Sequence, residues 1–394
     1  MIDFDEALAL VMDAARPLGT ETVALGEARG RILAAPVTAM MDAPPADVSA
    51  MDGYAVRERD LEDGEPLRLV GTSWPGAGFA GAIGAGQCVR IFTGAPLPEG
   101  ADRVVIQEIV ERTDEEIRVR EPVGRGRHVR LRGSDFRTGD RLLEAGRLLD
   151  HRALVAAAGA DIGEVELWRR PRVSILGTGD ELEEPGCARL RPGSIPESVS
   201  LGVAALAEQW GAIIIGRSRL KDEPDAMTGA AKKALASSDL VVMTGGASVG
   251  EKDFAKSVFA SLGLEILFSK VAIKPGKPVW LGRVGDRLVL GIPGNPTSAL
   301  VTARLLLAPL VAGLGGRDPA RALCWRATPL AEALPPNGGR ETFVRACLAG
   351  GRVQPLSNQD SGAQRVLAEA DVLIRRRPDA ASTEAGETVD IIDF

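Results

Sequence analysis

The sequence predicts an α/β protein of several domains, in which a doubly wound, mostly parallel sheet stands between stretches of β-rich chain. Three observations lead there. Between residues 171 and 316, strand-like hydrophobic runs alternate with helical patterns, the signature of parallel βα units. Residues 46–135 and 317–394 instead carry short β-type runs broken by Gly and Pro. The length, 394 residues, allows two to four domains.

The elements follow in order. Residues 3–16 predict an amphipathic helix, with Phe4, Ala7, Leu8, Val11, Met12 and Ala15 at helical spacing, a capping box from Asp3 and Glu6, and Pro17 at its end. The runs LRLVG, CVRIFTG, DRVVIQEIV and EIRVREPV predict a mainly β module over 46–135. A polar turn (Thr138, Gly139, Asp140) then leads into the Ala-rich helix HRALVAAAGA. Four strands are expected next, in VSILGT, AIIIGRSRL, DLVVMTGG and RLVLGIPG, each followed by a helix. ETFVRACLA, RVQPLS, DVLIRRR and TVDIIDF close the chain as a small β-barrel or sandwich.

Composition narrows the function. The formal net charge of −7 argues against nucleic acid or an anionic membrane as the main partner. No run of 18 apolar residues and no basic leader is present, so neither a transmembrane helix nor a signal peptide is expected. The four cysteines are scattered and there are two histidines, which leaves little for a disulfide frame, a zinc site or a Ser-His-Asp triad. The cytoplasm is the expected location.

In open α/β sheets ligands sit beyond the carboxyl ends of the strands, so the loops there are the candidates. Thr244-Gly245-Gly246 ends one strand, and glycines there let backbone amides reach a phosphate. Ser248 lies in the same loop, and Asp253 beside it suits Mg²⁺. The loop is not a Walker A, because Glu251 stands where the lysine is needed. Asp180 and Glu181 follow the first strand, and Asp222 and Glu223 the second. A metal–phosphate site explains these acidic groups together. KVAIKPGKP gathers Lys270, Lys274 and Lys277 around a rigid turn suited to oxyanions. GIPGNPTSAL opens a helix, with Asn295 as its cap and Pro296 in its first turn. GAGFAG at 76–81 matches a dinucleotide fingerprint in letters only, since no strand precedes it and no helix follows.

SAMDGYAV, RIFTGAPLPEGADRVV, RGSDF, GTGDEL, TGGASVGEKD, KPGKP and GIPGNP, in this order over roughly residues 3–365, together resemble the MoeA family, which includes the E domain of gephyrin. The resemblance implies four parts: an elongated, discontinuous N-terminal domain (1–45 with 136–170), an inserted β-rich module (46–135), an α/β domain (171–316) and a C-terminal β-barrel domain (317–394). It implies a Mg²⁺-dependent molybdopterin molybdenumtransferase. Molybdate and adenylylated molybdopterin are its substrates, and AMP is released. It implies a homodimer with shared active sites, supplied upstream by a molybdopterin adenylyltransferase. Carried over by motif, the functional residues of the β module are Asp52, Thr93 and Asp135. Those of the α/β domain are Glu181, Lys270 and Lys274, with Asp222 and Asp253 for the metal. Gly245, Gly246, Ser248, Pro293, Pro296, Arg340 and Ser361 are implied to contact substrate.

Two positions depart from the family pattern. Val199 in PESVS stands where Asn is expected, and Ser134 where Glu is common. The chemistry agrees with the residues: displacement at phosphorus needs cations, loop amides and a carboxylate-bound metal more than a nucleophile. Two other readings are an adenylyltransferase, which would need neither flanking β region, and a gephyrin-like scaffold, which would usually carry fused domains and long linkers.

Overall fold

The computed structural model describes residues 1–245 and 254–394. Its central sheet contains β1 (Arg172–Thr178), β2 (Ile213–Leu220), β3 (Leu240–Thr244), β4 (Glu265–Ser269), β5 (Trp280–Val284) and β6 (Arg287–Ile292), in the order β2-β1-β3-β6-β5-β4. The pairs β2–β1, β1–β3 and β3–β6 are parallel, while β6–β5 and β5–β4 are antiparallel. The four strands expected from sequence thus form the parallel half. Two strands were not expected. In β5 the run WLGRV is broken by Gly282, where a Cβ would come within 2.7 Å of the Glu265 carbonyl oxygen. The close approach of β4 demands that glycine, and glycine weakens the strand signal.

Helices cover both faces, as a sheet buried on two sides requires. Alternate residues of β3 point opposite ways. Leu240 and Val242 join a core with α1 (Phe4–Ala14), α2 (Val199–Gln209) and the long helix Pro296–Leu314, whereas Val241 and Met243 join a core with α3 (Pro224–Ser237) and α4 (Phe254–Ala260). The helix Pro296–Leu314 is long and apolar enough to cross a membrane, but 94% of its apolar window is buried inside the protein. Asp3 caps α1 by accepting from the Glu6 amide (2.7 Å). The apolar stripe of α1 (Phe4, Ala7, Val11) packs on this α/β core and on Phe343.

Thr20–Ala24 pairs antiparallel with Glu164–Trp168, and Val37–Thr38 with Arg141–Leu143, which brings two distant stretches together. Between them, Gly53–Val56, Leu67–Ser73, Gln87–Ile91, Arg103–Ile106, Val110–Arg112 and Glu116–Val119 form a separate six-stranded sheet. In the C-terminal region Arg352–Pro355, Glu341–Ala349, Val372–Arg376, Thr388–Asp393 and Arg326–Pro329 pair in succession. A bridge from Leu330 to Val353 joins the last strand to the first. The circuit closes, so this region is a barrel rather than a sandwich.

Candidate active site

The chain leaves β1 for β2 on one side and returns to β3 on the other, so the carboxyl ends of β1 and β3 flank a topological switch point. A cleft of about 590 Å³ opens there, lined by Thr178 and Gly179 at the end of β1, Asp222 after β2, Thr244 and Gly245 at the end of β3, and the Pro293–Pro296 turn after β6. The strand ends crowd together. Gly245 has φ +85°, and a Cβ on it would lie 2.6 Å from the Thr178 carbonyl oxygen. Its amide is not free for a phosphate as the sequence suggested, because it donates to the Ile292 carbonyl (3.3 Å). Gly246, Ser248 and Asp253 lie outside the described residues.

The charged side chains among the described lining are all acidic: Glu181, Glu197 and Asp222. The Asp222 amide donates to Asp180 Oδ1 (3.2 Å), which fixes the turn after β2 against the turn after β1. Glu197 was not among the residues expected. It is buried, and its carboxylate accepts from the Ser200 amide (2.8 Å) and hydroxyl (2.5 Å) at the start of α2. Arg217 Nη1 donates to the same hydroxyl (3.0 Å). The only sequence signal was the PESVS departure itself.

Asn295 precedes the long helix, yet its side chain makes no cap. Its Nδ2 instead donates to Ser361 Oγ (3.0 Å), and the first-turn amide of Thr297 donates to the Ser361 carbonyl (3.1 Å). The anion-seeking helix start is therefore partly satisfied by a loop of the C-terminal barrel, which also brings Gly362 and Gln364 into the cleft lining. Arg345, a second residue missed from sequence, holds that loop. It is fully buried, its Nη2 reaches the carbonyls of Asn358 and Asp360 (3.4 Å each), and burial lowers its pKa.

Lys270 and Lys274 are exposed and do not line the cleft, although Pro278 at the end of their loop does. Ile273–Lys274 instead forms a short strand parallel to the barrel strand beginning at Glu341, and Arg340 Nη1 donates to the Ile273 carbonyl (3.4 Å). Lys274 and Arg340 are thus brought to one barrel edge. In the inserted sheet, Asp52 Oδ1 accepts from the Thr93 amide (2.7 Å) and hydroxyl (2.8 Å). These bonds, the amide's above all, hold the Asp52 carboxyl below its usual range. Asp135 is exposed on the neighbouring loop. None of these three lines the cleft of the same chain.

For a divalent cation, the described residues offer Asp222 and Glu181, and no group of three or more His, Cys, Asp or Glu side chains that could hold a metal is found among them. Mg²⁺ is commonly held by one or two carboxylates plus phosphate oxygens and water, so this donor set fits it when a phosphate ligand is present.

Comparison with known proteins decides the family. A molybdopterin molybdenumtransferase from Haemophilus influenzae is 34% identical over all of this chain and 99% of its own length. The chain belongs to the MoeA family. Residues 2–160 match the MoeA N-terminal region (domain I and II), 174–313 the probable molybdopterin binding domain, and 327–394 the MoeA C-terminal region (domain IV). A molybdopterin molybdenumtransferase from a Nostoc species is 36% identical over 82% of this chain and 76% of its own. The solved structure of a molybdopterin biosynthesis MoeA protein from Pyrococcus horikoshii superposes with a TM-score of 0.85 at 26% identity, covering all of both chains. The fold described above is thus the MoeA fold, from its N-terminal sheets to its closing barrel.

Proposed function

We propose that this protein is a molybdopterin molybdenumtransferase, which inserts molybdate into adenylylated molybdopterin, releases AMP and yields molybdenum cofactor. The reading is supported above all by the switch-point cleft, whose described charged lining is entirely acidic, and by Lys274, on the loop whose Pro278 joins that lining, with Arg340 bonded to the same loop. Two of the carboxylates, Glu181 and Asp222, would share a cation with an anionic ligand there, while Glu197 is held by Ser200. Mg²⁺ held by Asp222, with Asp253 and a phosphate, would neutralise charge developing on the transferred phosphate.

The chain's own residues have defined tasks in this reading. Glu181 and Asp222 orient the cation-facing side of the substrate. Pro293, Pro296 and the Gly245 turn shape the wall, while Gly246 and Ser248 offer further contacts. Lys270, Lys274, Arg340 and Ser361 receive the molybdate oxyanion at the rim. Asp52, Thr93 and Asp135 complete the site from the other subunit of a homodimer, since their own chain gives them no place in its cleft. The same reading divides the chain at 1–45 with 136–170, 46–135, 171–316 and 317–394, supported by the pairing of Thr20–Ala24 with Glu164–Trp168. It places the enzyme in the cytoplasm, downstream of a molybdopterin adenylyltransferase.

The test is AMP release from adenylylated molybdopterin, with and without molybdate. Molybdate-dependent AMP release is expected. AMP release that ignores molybdate, or ATP consumption with pyrophosphate release, would overturn the reading.

A further inference from the structure

A second cavity, of about 330 Å³, lies where the N-terminal region meets the α/β domain. Four arginines line it, Arg29, Arg31, Arg170 and Arg317, against one carboxylate, Glu208. On a chain of net charge −7 this is a local excess of cations. Their partners do not balance them. Arg170 donates only to the backbone carbonyls of Gly211 (3.0 Å) and Ala212 (2.6 Å). Arg317 lies over the Trp210 ring, 4.5 Å from its centroid. Arg31 reaches Glu21 and the Trp168 carbonyl, but its buried Nε has no acceptor. The buried Trp210 Nε1 is likewise unpartnered. Arg29 is exposed, and among the described residues no carboxylate stands within ion-pair distance of Arg29, Arg170 or Arg317.

We propose that this junction cavity binds a small phosphate-bearing anion, at a site separate from the cleft. Converging like charges are costly unless something offsets them. A phosphate offsets them, because it is negatively charged and guanidinium forks match the geometry of its oxygens. The volume sits at the lower end of small-molecule sites, which suits a phosphate monoester or pyrophosphate. Burial first, and then the Arg31 charge, lower the Arg170 pKa while Glu208 raises it, and a bound anion would offset the Arg31 repulsion. The proposal does not depend on the reading of the cleft.

Calorimetric titration of the full-length protein with pyrophosphate and with AMP, at low ionic strength, tests it. We expect a site whose affinity falls ~10-fold or more for each guanidinium removed in Arg29→Ala and Arg29→Ala/Arg317→Ala. The same site should persist in Lys274→Ala, a basic residue that does not line this cavity. Arg29→Glu keeps the test readable if the double variant misfolds, because Arg29 is exposed and unpaired. Three results would overturn the proposal: neither probe binds the wild type, the arginine variants bind unchanged, or binding is lost in Lys274→Ala instead. Dissociation of a dimer in the arginine variants, with neither probe bound by the wild type, would also overturn it and assign the charges to a second copy of the chain.

Discussion

Replacing Gly245 by alanine should damage the cleft more than a loss of backbone freedom explains. Two costs add at this position. With φ +85°, the backbone lies where an L side chain costs ~1–2 kcal/mol. The added Cβ would also sit 2.6 Å from the Thr178 carbonyl oxygen, which belongs to a buried strand and has nowhere to go. Forcing a methyl into such packing costs a further ~1–3 kcal/mol. Gly263 supplies the control, because its φ is +86° and nothing lies within 4 Å of its Cβ position. Gly263→Ala should therefore lower Tm by only the first amount, roughly 2–8 °C. Gly245→Ala should lower it further and should also cut AMP release, since the displaced strand end is the wall of the cleft. Thermal unfolding followed by circular dichroism reads the first effect, and the AMP assay the second. If Gly245→Ala is no less stable than Gly263→Ala, the crowding at the switch point has been misjudged.

Lys274→Ala should lower molybdate-dependent AMP release by roughly tenfold to a hundredfold through loss of a charge-assisted contact, with unfolding unchanged; full activity would remove the rim lysine from the reaction. Asp42 accepts from the Thr138 amide (2.8 Å) and hydroxyl (3.0 Å) and from Arg132 Nε (2.5 Å), tying together the chain at 42, 132 and 138; these bonds, the Thr138 amide first, lower its pKa to about 2. Because the folded value lies below the unfolded one, the tie's stabilisation is present above the ordinary value near 4 and lost as pH falls towards 2; a carboxyl resonance titrating at the ordinary value would contradict this. Asp52→Ala and Asp222→Ala homodimers should each be inactive, yet an equal mixture, unfolded and reassociated, should regain roughly a quarter of wild-type activity if sites are shared across a two-fold. A mixture that stays dead while mass spectrometry shows mixed dimers would place the whole site in one chain.

Much of the fold was legible because the central strands are buried on both faces. A run such as LVVMT has no alternation to read and no competitor at that length, and Leu240 and Val242 on one side with Val241 and Met243 on the other explain why all must be apolar. Glu265–Ser269 at the edge and Trp280–Val284 beside it escaped because both pair antiparallel, outside the alternation of strand and helix, and Gly282 breaks the second run. The destination of the first helix was also illegible. Its amphipathic stripe says that it packs, but only the fold says that Phe4 meets Phe343, a residue from the far end of the chain.

The candidate site shows the same division between local and distant causes. Acids and glycines after successive strands could be placed in one crevice by a general rule for parallel sheets, and Glu181, Asp222, Gly245, Pro293 and Pro296 do share it. What the rule omits is who else occupies the strand ends. Asn295 looks like a cap and Gly245 like a free amide, yet both are spent on groups that no local pattern reveals, Ser361 and Ile292. The helix start and the glycine loop consequently offer an anion less than their sequences promise. With those donors engaged and only carboxylates among the described charged lining, attraction for a phosphate must come from other groups: a cation that the carboxylates recruit, and Lys274 and Arg340 at the barrel edge. On the proposed reading, in which Mg²⁺ carries most of that attraction, chelation should release the phosphate-bearing substrate itself, not merely slow its cleavage. Equilibrium binding of adenylylated molybdopterin with and without chelator separates the two, and binding that survives chelation unchanged would mean that basic groups alone carry the charge.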